Sequence, residues 1–137
     1  MRASTLYRAA AILLFLFAFA HTLGFTQSDP QWHADAVLAS MASVHFDVQG
    51  SDRTYWDLFR AAGYTVGVFY FFSAILAWQL ARAPAEVVAS LRPVSWAIAL
   101  CFAAITVVSC VFLFLLPIVF SSVICACLMC AASLAKR

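Results

Sequence analysis

The chain has 137 residues, of which 66% are hydrophobic, 15% aromatic and only 10% charged, with a formal net charge of +2. Soluble domains are about one-quarter charged, so this chain has too few charges to cover a water-facing surface. Its length fits one domain, and its scattered basic residues do not form a nucleic-acid footprint.

The first expected membrane helix covers about residues 8–25. After Arg2 and Arg8 the chain is almost wholly apolar from Ala9 to Phe25, close to the roughly 20 residues that span a bilayer. Ala18-Phe19-Ala20 resembles a small-x-small cleavage site, so a signal peptide is the alternative. A retained helix is expected, because losing it would leave an odd number of helices.

Residues 26–52 form the expected outer loop. Asp29-Pro30 is a helix-start pair: Asp accepts amide hydrogen bonds at the N-cap and Pro suits the first helical position. Val37, Met41 and Val44 then recur at helical spacing. His33 and His45 flank that stripe, while Gln31, Asp35 and Ser43 point away. The pattern predicts a weakly amphipathic helix on the membrane surface or capping the bundle, broken at Gln49-Gly50-Ser51.

The second span is expected over about 53–80, capped by Ser51 or Asp52. Its first turns carry Tyr55, Trp56, Asp57 and Arg60, the amphipathic rings and charges of a headgroup interface. Asp57 and Arg60 are three apart, on one face, and are expected to pair. Gly63 and Gly67 form a GxxxG pair, which lets helix backbones approach closely in lipid. A polar loop from Ala81 to Arg92 follows.

Val94 to Leu134 is too long for one span: about 41 residues make roughly 60 Å of helix, twice the hydrocarbon thickness. Two spans, about 94–115 and 117–135, joined by a charge-free turn near Leu115–Ile118, are expected instead. The fold class is therefore all-α: an integral membrane four-helix bundle, with a short amphipathic helix in the first outer loop.

Four spans put both termini on one side. Arg2, Arg8, Arg82, Arg92, Lys136 and Arg137 then share one face, against Arg53 and Arg60 on the other. Asp29, Asp35, Asp47, Asp52 and Asp57 all fall on that second face, with Glu86 the lone acid on the first. The positive-inside rule makes the first face cytoplasmic, with a bacterial plasma membrane assumed.

This topology gathers the reactive side chains outside. About 13 residues separate Arg8 from His21, or about 20 Å of helix, which puts His21 in the outer part of the hydrocarbon. An ionisable group there faces the protein interior and is a functional candidate. It is equally readable as a neutral imidazole hydrogen-bonded to a neighbouring helix. An outward-facing pocket built from His21, His45, Asp47, Tyr55, Trp56, Asp57 and Arg60 is expected to bind a small lipophilic molecule. His21, His45, Asp47 and Asp57 are its candidate acid–base groups. His21, His33, His45 and Asp47 are ligand types that suit zinc, copper or iron, though no diagnostic spacing is present. Haem is not expected, since only His21 lies in a span. Cys101, Cys110, Cys125, Cys127 and Cys130 read as small buried hydrophobes, with Cys101 and Cys130 at similar depth and able to face each other.

The run MASVHFDVQGSDRTYWDLFRAAGYTVGVFYFFSAILAWQL, Met41 to Leu80, with His21-Thr22-Leu23-Gly24, resembles a group of small, uncharacterised bacterial four-helix membrane proteins. That covers about half the chain and implies a four-helix inner-membrane fold. In layout the chain is also similar to DoxX-like proteins and to the sterol-isomerase and sigma-2-receptor type of four-helix bundle. The latter hold lipophilic amines or sterols beside acidic residues, and this chain lacks their intramembrane glutamates.

Three classes of function follow. The leading one is binding of, or action on, a small lipophilic molecule at the outer face. The second is an accessory or structural subunit that uses its GxxxG face and outer loop to dock a membrane partner or a second copy. The third is a metal site made by the outer histidines.

Overall fold

In a computed structural model the described residues are 2–135. Lys136 and Arg137, which contribute to the expected charge asymmetry, lie outside them. Four helices are long and apolar enough to cross a bilayer: α1 (Ala3–Gly24), α3 (Tyr55–Arg82), α5 (Arg92–Phe112) and α6 (Leu115–Leu134). The chain fits a multi-pass membrane protein. Between α1 and α3 lie a single 3-10 turn (Pro30–Trp32), the short helix α2 (Asp35–Ser43) and a hairpin of β1 (His45–Val48) and β2 (Ser51–Thr54). A further short helix, α4 (Ala85–Ser90), precedes α5.

The chain divides into two compact units. One holds the described residues up to Phe17 with those from Tyr70 onward; the other is Ala18–Phe69. Helices α1 and α3 each contribute to both.

The first unit is held together by small residues. Ala10, Ala77, Ala99, Ala131 and Ala132 are fully buried, interleaved with Tyr7, Leu14, Phe102, Ile124 and Leu128. Lipid tails are as apolar as leucine, so burial from water gives little drive between spans. Close packing must supply it, and alanine lets backbones approach. Phe17 stacks on Phe120 at 5.2 Å and leans on Tyr70 at 4.8 Å. Phe15, Phe112 and Phe114 are exposed, as lipid-facing side chains would be. Arg2, Arg8, Arg82 and Arg92 are exposed at helix ends.

The turn between α5 and α6 falls at Leu113–Phe114, two residues before the expected place. Both residues are extended, and Pro117 sits in the first turn of α6, where its missing N–H costs no helical hydrogen bond. Cys101 and Cys130 are both exposed and do not form a buried pair. Cys125 is the buried one, its thiol 3.9 Å from the Ala99 carbonyl. The polar loop 81–92 is mostly helical, as α3 continues to Arg82 and α4 follows.

The connection between α1 and α3 departs most from expectation. Asp29 does cap a helical turn, accepting from the Gln31 N–H at 2.9 Å with Pro30 in first place. That turn ends after Trp32, because His33 takes a left-handed conformation with φ 50°. The amphipathic helix is real but shorter, Asp35–Ser43, and what was read as its last turn is strand β1. Gln49 (φ 54°) and Gly50 (φ 80°) form the hairpin turn. Two positive φ values match the right-handed twist of the flanking strands, and glycine bears the second without strain. Ser51 and Asp52 are therefore strand residues and not helix caps.

In the second unit the GxxxG face meets the end of α1. A Cβ at Gly63 would overlap the Phe25 ring, and one at Gly67 would come within 2.5 Å of Thr22 Oγ1. The two glycines thus pack against this chain's own α1. Gly67→Val forces Thr22 aside and is expected to destabilise the protein by about 1–3 kcal/mol, the usual range for overpacking. A lowered melting temperature in mild detergent, larger than that of Gly24→Ala, where the space is open, checks this.

Candidate functional site

His21 sits on α1 beside the glycine face. Its Nε2 lies 3.0 Å from the Gly63 carbonyl oxygen. A carbonyl can only accept, so Nε2 carries the proton and donates. The imidazole stacks on Phe25 at 5.3 Å and 15° between planes. Phe25 in turn meets Phe59 and Tyr64 at 5.8 and 5.0 Å. His21 is thus a link between the ends of α1 and α3, as the interhelical reading of this residue requires.

Helix α3 opens on a reciprocal cap. The Thr54 backbone N–H and hydroxyl donate to Asp57 Oδ2 at 3.0 and 2.9 Å, and the Asp57 N–H donates to Thr54 Oγ1 at 3.1 Å. This is the Thr-x-x-acid form of a capping box, which satisfies two amide groups that the helix leaves open. Asp57 is therefore bonded to Thr54, and the expected Asp57–Arg60 pair does not form. The Arg60 guanidinium instead lies over the Tyr64 ring, 5.8 Å from its centre. Trp56 stacks on Phe59 at 5.4 Å.

The hairpin separates its side chains by the two-residue period of a strand. His45, Asp47, Asp52 and Thr54 share one face, with His45 opposite Thr54 and Asp47 opposite Asp52. Like charges directly opposite destabilise a strand pair, and here each carboxylate has its own donor. Asp47 Oδ1 accepts from the Gly50 N–H at 3.0 Å, and Asp52 Oδ2 lies 2.9 Å from His45 Nδ1. That imidazole is oriented by the carboxylate, and both side chains are well exposed. On the other face Phe46 packs against Tyr55 at 4.8 Å.

Tyr55 also borders an open groove. Ala36, Val37, Ser40, Met41 and Val44 of the α2 segment line it together with Tyr55, enclosing about 390 Å³. Of the lining residues only Ser40 and Tyr55 carry a polar side-chain group. Val44 leads directly into His45, so the His45–Asp52 pair lies close in sequence to the groove wall.

The expected pocket residues fall into local groups: His21, Arg60 and Trp56 are linked through Phe25, Tyr64 and Phe59, and the others have separate roles. Tyr55 lines the groove. His45 lies next to it in the chain, with Asp52 as partner. Asp47 closes the hairpin turn, Asp57 caps α3, Arg60 covers Tyr64 and His21 bonds Gly63. His33 ends the 3-10 turn. Among the described residues no three His, Cys, Asp or Glu side chains come together as metal ligands would. Val37, Met41 and Val44 were legible as an apolar stripe but not as a binding surface. Ala36 and Ser40 complete the same helical face. Asp52 as the partner of His45 had no local signal, since the two are joined by strand register.

Comparison of the chain with protein families, with curated proteins and with solved structures found no match.

Thr54→Ala removes the hydroxyl, which costs Asp57 Oδ2 one of its two donors and leaves the Asp57 N–H without its acceptor, while the backbone N–H of residue 54 still donates. Loss of an N-cap of this kind costs about 1 kcal/mol. Thermal unfolding in detergent is expected to show that loss, with Thr54→Ser close to wild type.

Proposed function

We propose that this is a multi-pass protein of a bacterial plasma membrane, with both termini cytoplasmic, whose outer cap binds a small lipophilic molecule. The observation that carries the reading is the groove between α2 and Tyr55. Ligand sites are concave and mostly apolar, with few polar groups to fix orientation. Here the Ser40 and Tyr55 side chains supply the polar groups.

Charge supports the orientation. Arg2 and Arg8 lie in or before the first turns of α1, Arg82 ends α3 and Arg92 starts α5, while residues 26–60 carry five aspartates and two arginines. Cytoplasmic connections are the Lys- and Arg-rich ones. The docking alternative is less favoured, because Gly63 and Gly67 are covered by Phe25 and Thr22. A partner would need another face.

Binding without a chemical step is the simplest form of the reading. The carboxylate-oriented imidazole of His45 lies on the hairpin face away from Phe46 and Tyr55, outside the groove lining.

Native mass spectrometry of the protein in mild detergent tests this. Wild type is expected to retain a lipophilic mass. Ala36→Trp, which fills the groove from an exposed position, is expected to lose it by tenfold or more, whereas His21→Ala is expected to keep it. A mass retained equally by Ala36→Trp contradicts the groove as its site.

A further inference from the structure

We infer that the groove opens sideways onto the outer leaflet and takes the unbranched acyl chain of a lipid resident there. The inference rests on the proposed groove and adds the source and class of its occupant.

The position of the groove comes first. Tyr55 is at once a lining residue and the first residue of α3. This helix of 28 residues is about 42 Å long. A bilayer is about 30 Å across its hydrocarbon and about 40–45 Å with its headgroups. Tyr55 thus falls at headgroup depth, with Trp56 beside it, as aromatic residues at a membrane interface do. The groove wall contributed by α3 is fixed at the boundary between lipid and water. The cap cannot leave that boundary, since it begins where α1 ends, at Gly24, and finishes where α3 starts.

The other wall has the character of an interfacial helix. None of the residues of α2 is buried. At 100° per residue, Ala36, Val37, Ser40, Met41 and Val44 fall within about 140° of arc, and Asp35 and Ser43 lie outside it. Val37 is 62% exposed, Tyr55 58% and nearby Trp32 63%. Such a helix lies in the interface plane, apolar stripe toward the acyl chains. The stripe that would meet the leaflet is the stripe that lines the groove.

An occupant arriving from lipid needs no exposure to water on the way in, and its headgroup remains at the level of Ser40, Tyr55 and His45. An unbranched chain suits a groove walled by one helical face.

The test uses the full chain reconstituted in phosphatidylcholine vesicles containing a phosphatidylcholine with a photoreactive diazirine in its acyl chain, with adducts mapped by mass spectrometry. Labelling is expected on the peptide 36–44 as well as on the spans. In Ala36→Trp the 36–44 label is expected to fall several-fold, with the span label unchanged as an internal control for insertion. Labelled spans with an unlabelled 36–44 peptide would overturn the inference. So would 36–44 labelling that Ala36→Trp leaves intact, because the lipid would then touch α2 without entering the groove. If 36–44 is unlabelled while a groove-dependent lipophilic mass persists by native mass spectrometry, the groove stands and entry from the leaflet falls. If both are missing, the proposed function falls with it.

Discussion

The hydrogen bond from His21 to the Gly63 carbonyl fixes the unit that joins α1 to α3. It joins residues 42 positions apart and sits where two glycines of α3 present no side chain of their own to the end of α1. In a bilayer a polar side chain without a partner is costly, and a hydrogen bond across helices meets that demand while choosing one register. Phe25 and Thr22 then fill the space over Gly63 and Gly67. With the ends of α1 and α3 held together, the residues between them must close as a cap, and the hairpin and α2 are what that closure consists of.

The cap illustrates how few interactions define a small polar structure. Thr54 and Asp57 start α3 at one residue, so Tyr55 has one orientation. Phe46 packs on Tyr55 from strand β1, and a glycine turn sets the strand register. Asp47 and Asp52, opposite each other, are tolerated because one closes the turn and the other holds His45. The groove is a consequence of these local contacts, since α2 enters β1 within two residues.

The spans were legible because hydropathy and length need no tertiary information: about 20 apolar residues have one use in a membrane protein. The Asp29-Pro30 turn and the apolar stripe of α2 were legible from capping chemistry and helical spacing. The hairpin was not. Val44, Phe46 and Val48 do alternate with His45 and Asp47, the signal of a strand, but Val37, Met41 and Val44 continue a helical period through the same residues. The partner strand, Ser51 to Thr54, has no apolar residue to declare itself. Asp52 also competes with Thr54 as a helix cap, and only the acid at Asp57 decides between them. Sharing one side of a membrane does not by itself bring His21, His33 and His45 into one site. The histidines are instead distributed among an interhelical bond, a turn and a strand.

The claim on which this account rests is the donor role of His21. Solid-state NMR of the protein in lipid bilayers, with histidine and glycine isotopically labelled, reads it directly. The account predicts an imidazole protonated at Nε2, with a through-space correlation between that nitrogen and the Gly63 carbonyl carbon. A ring protonated at Nδ1 alone, with no Gly63 correlation, would contradict it and leave the ends of α1 and α3 without the bond from which the cap is built.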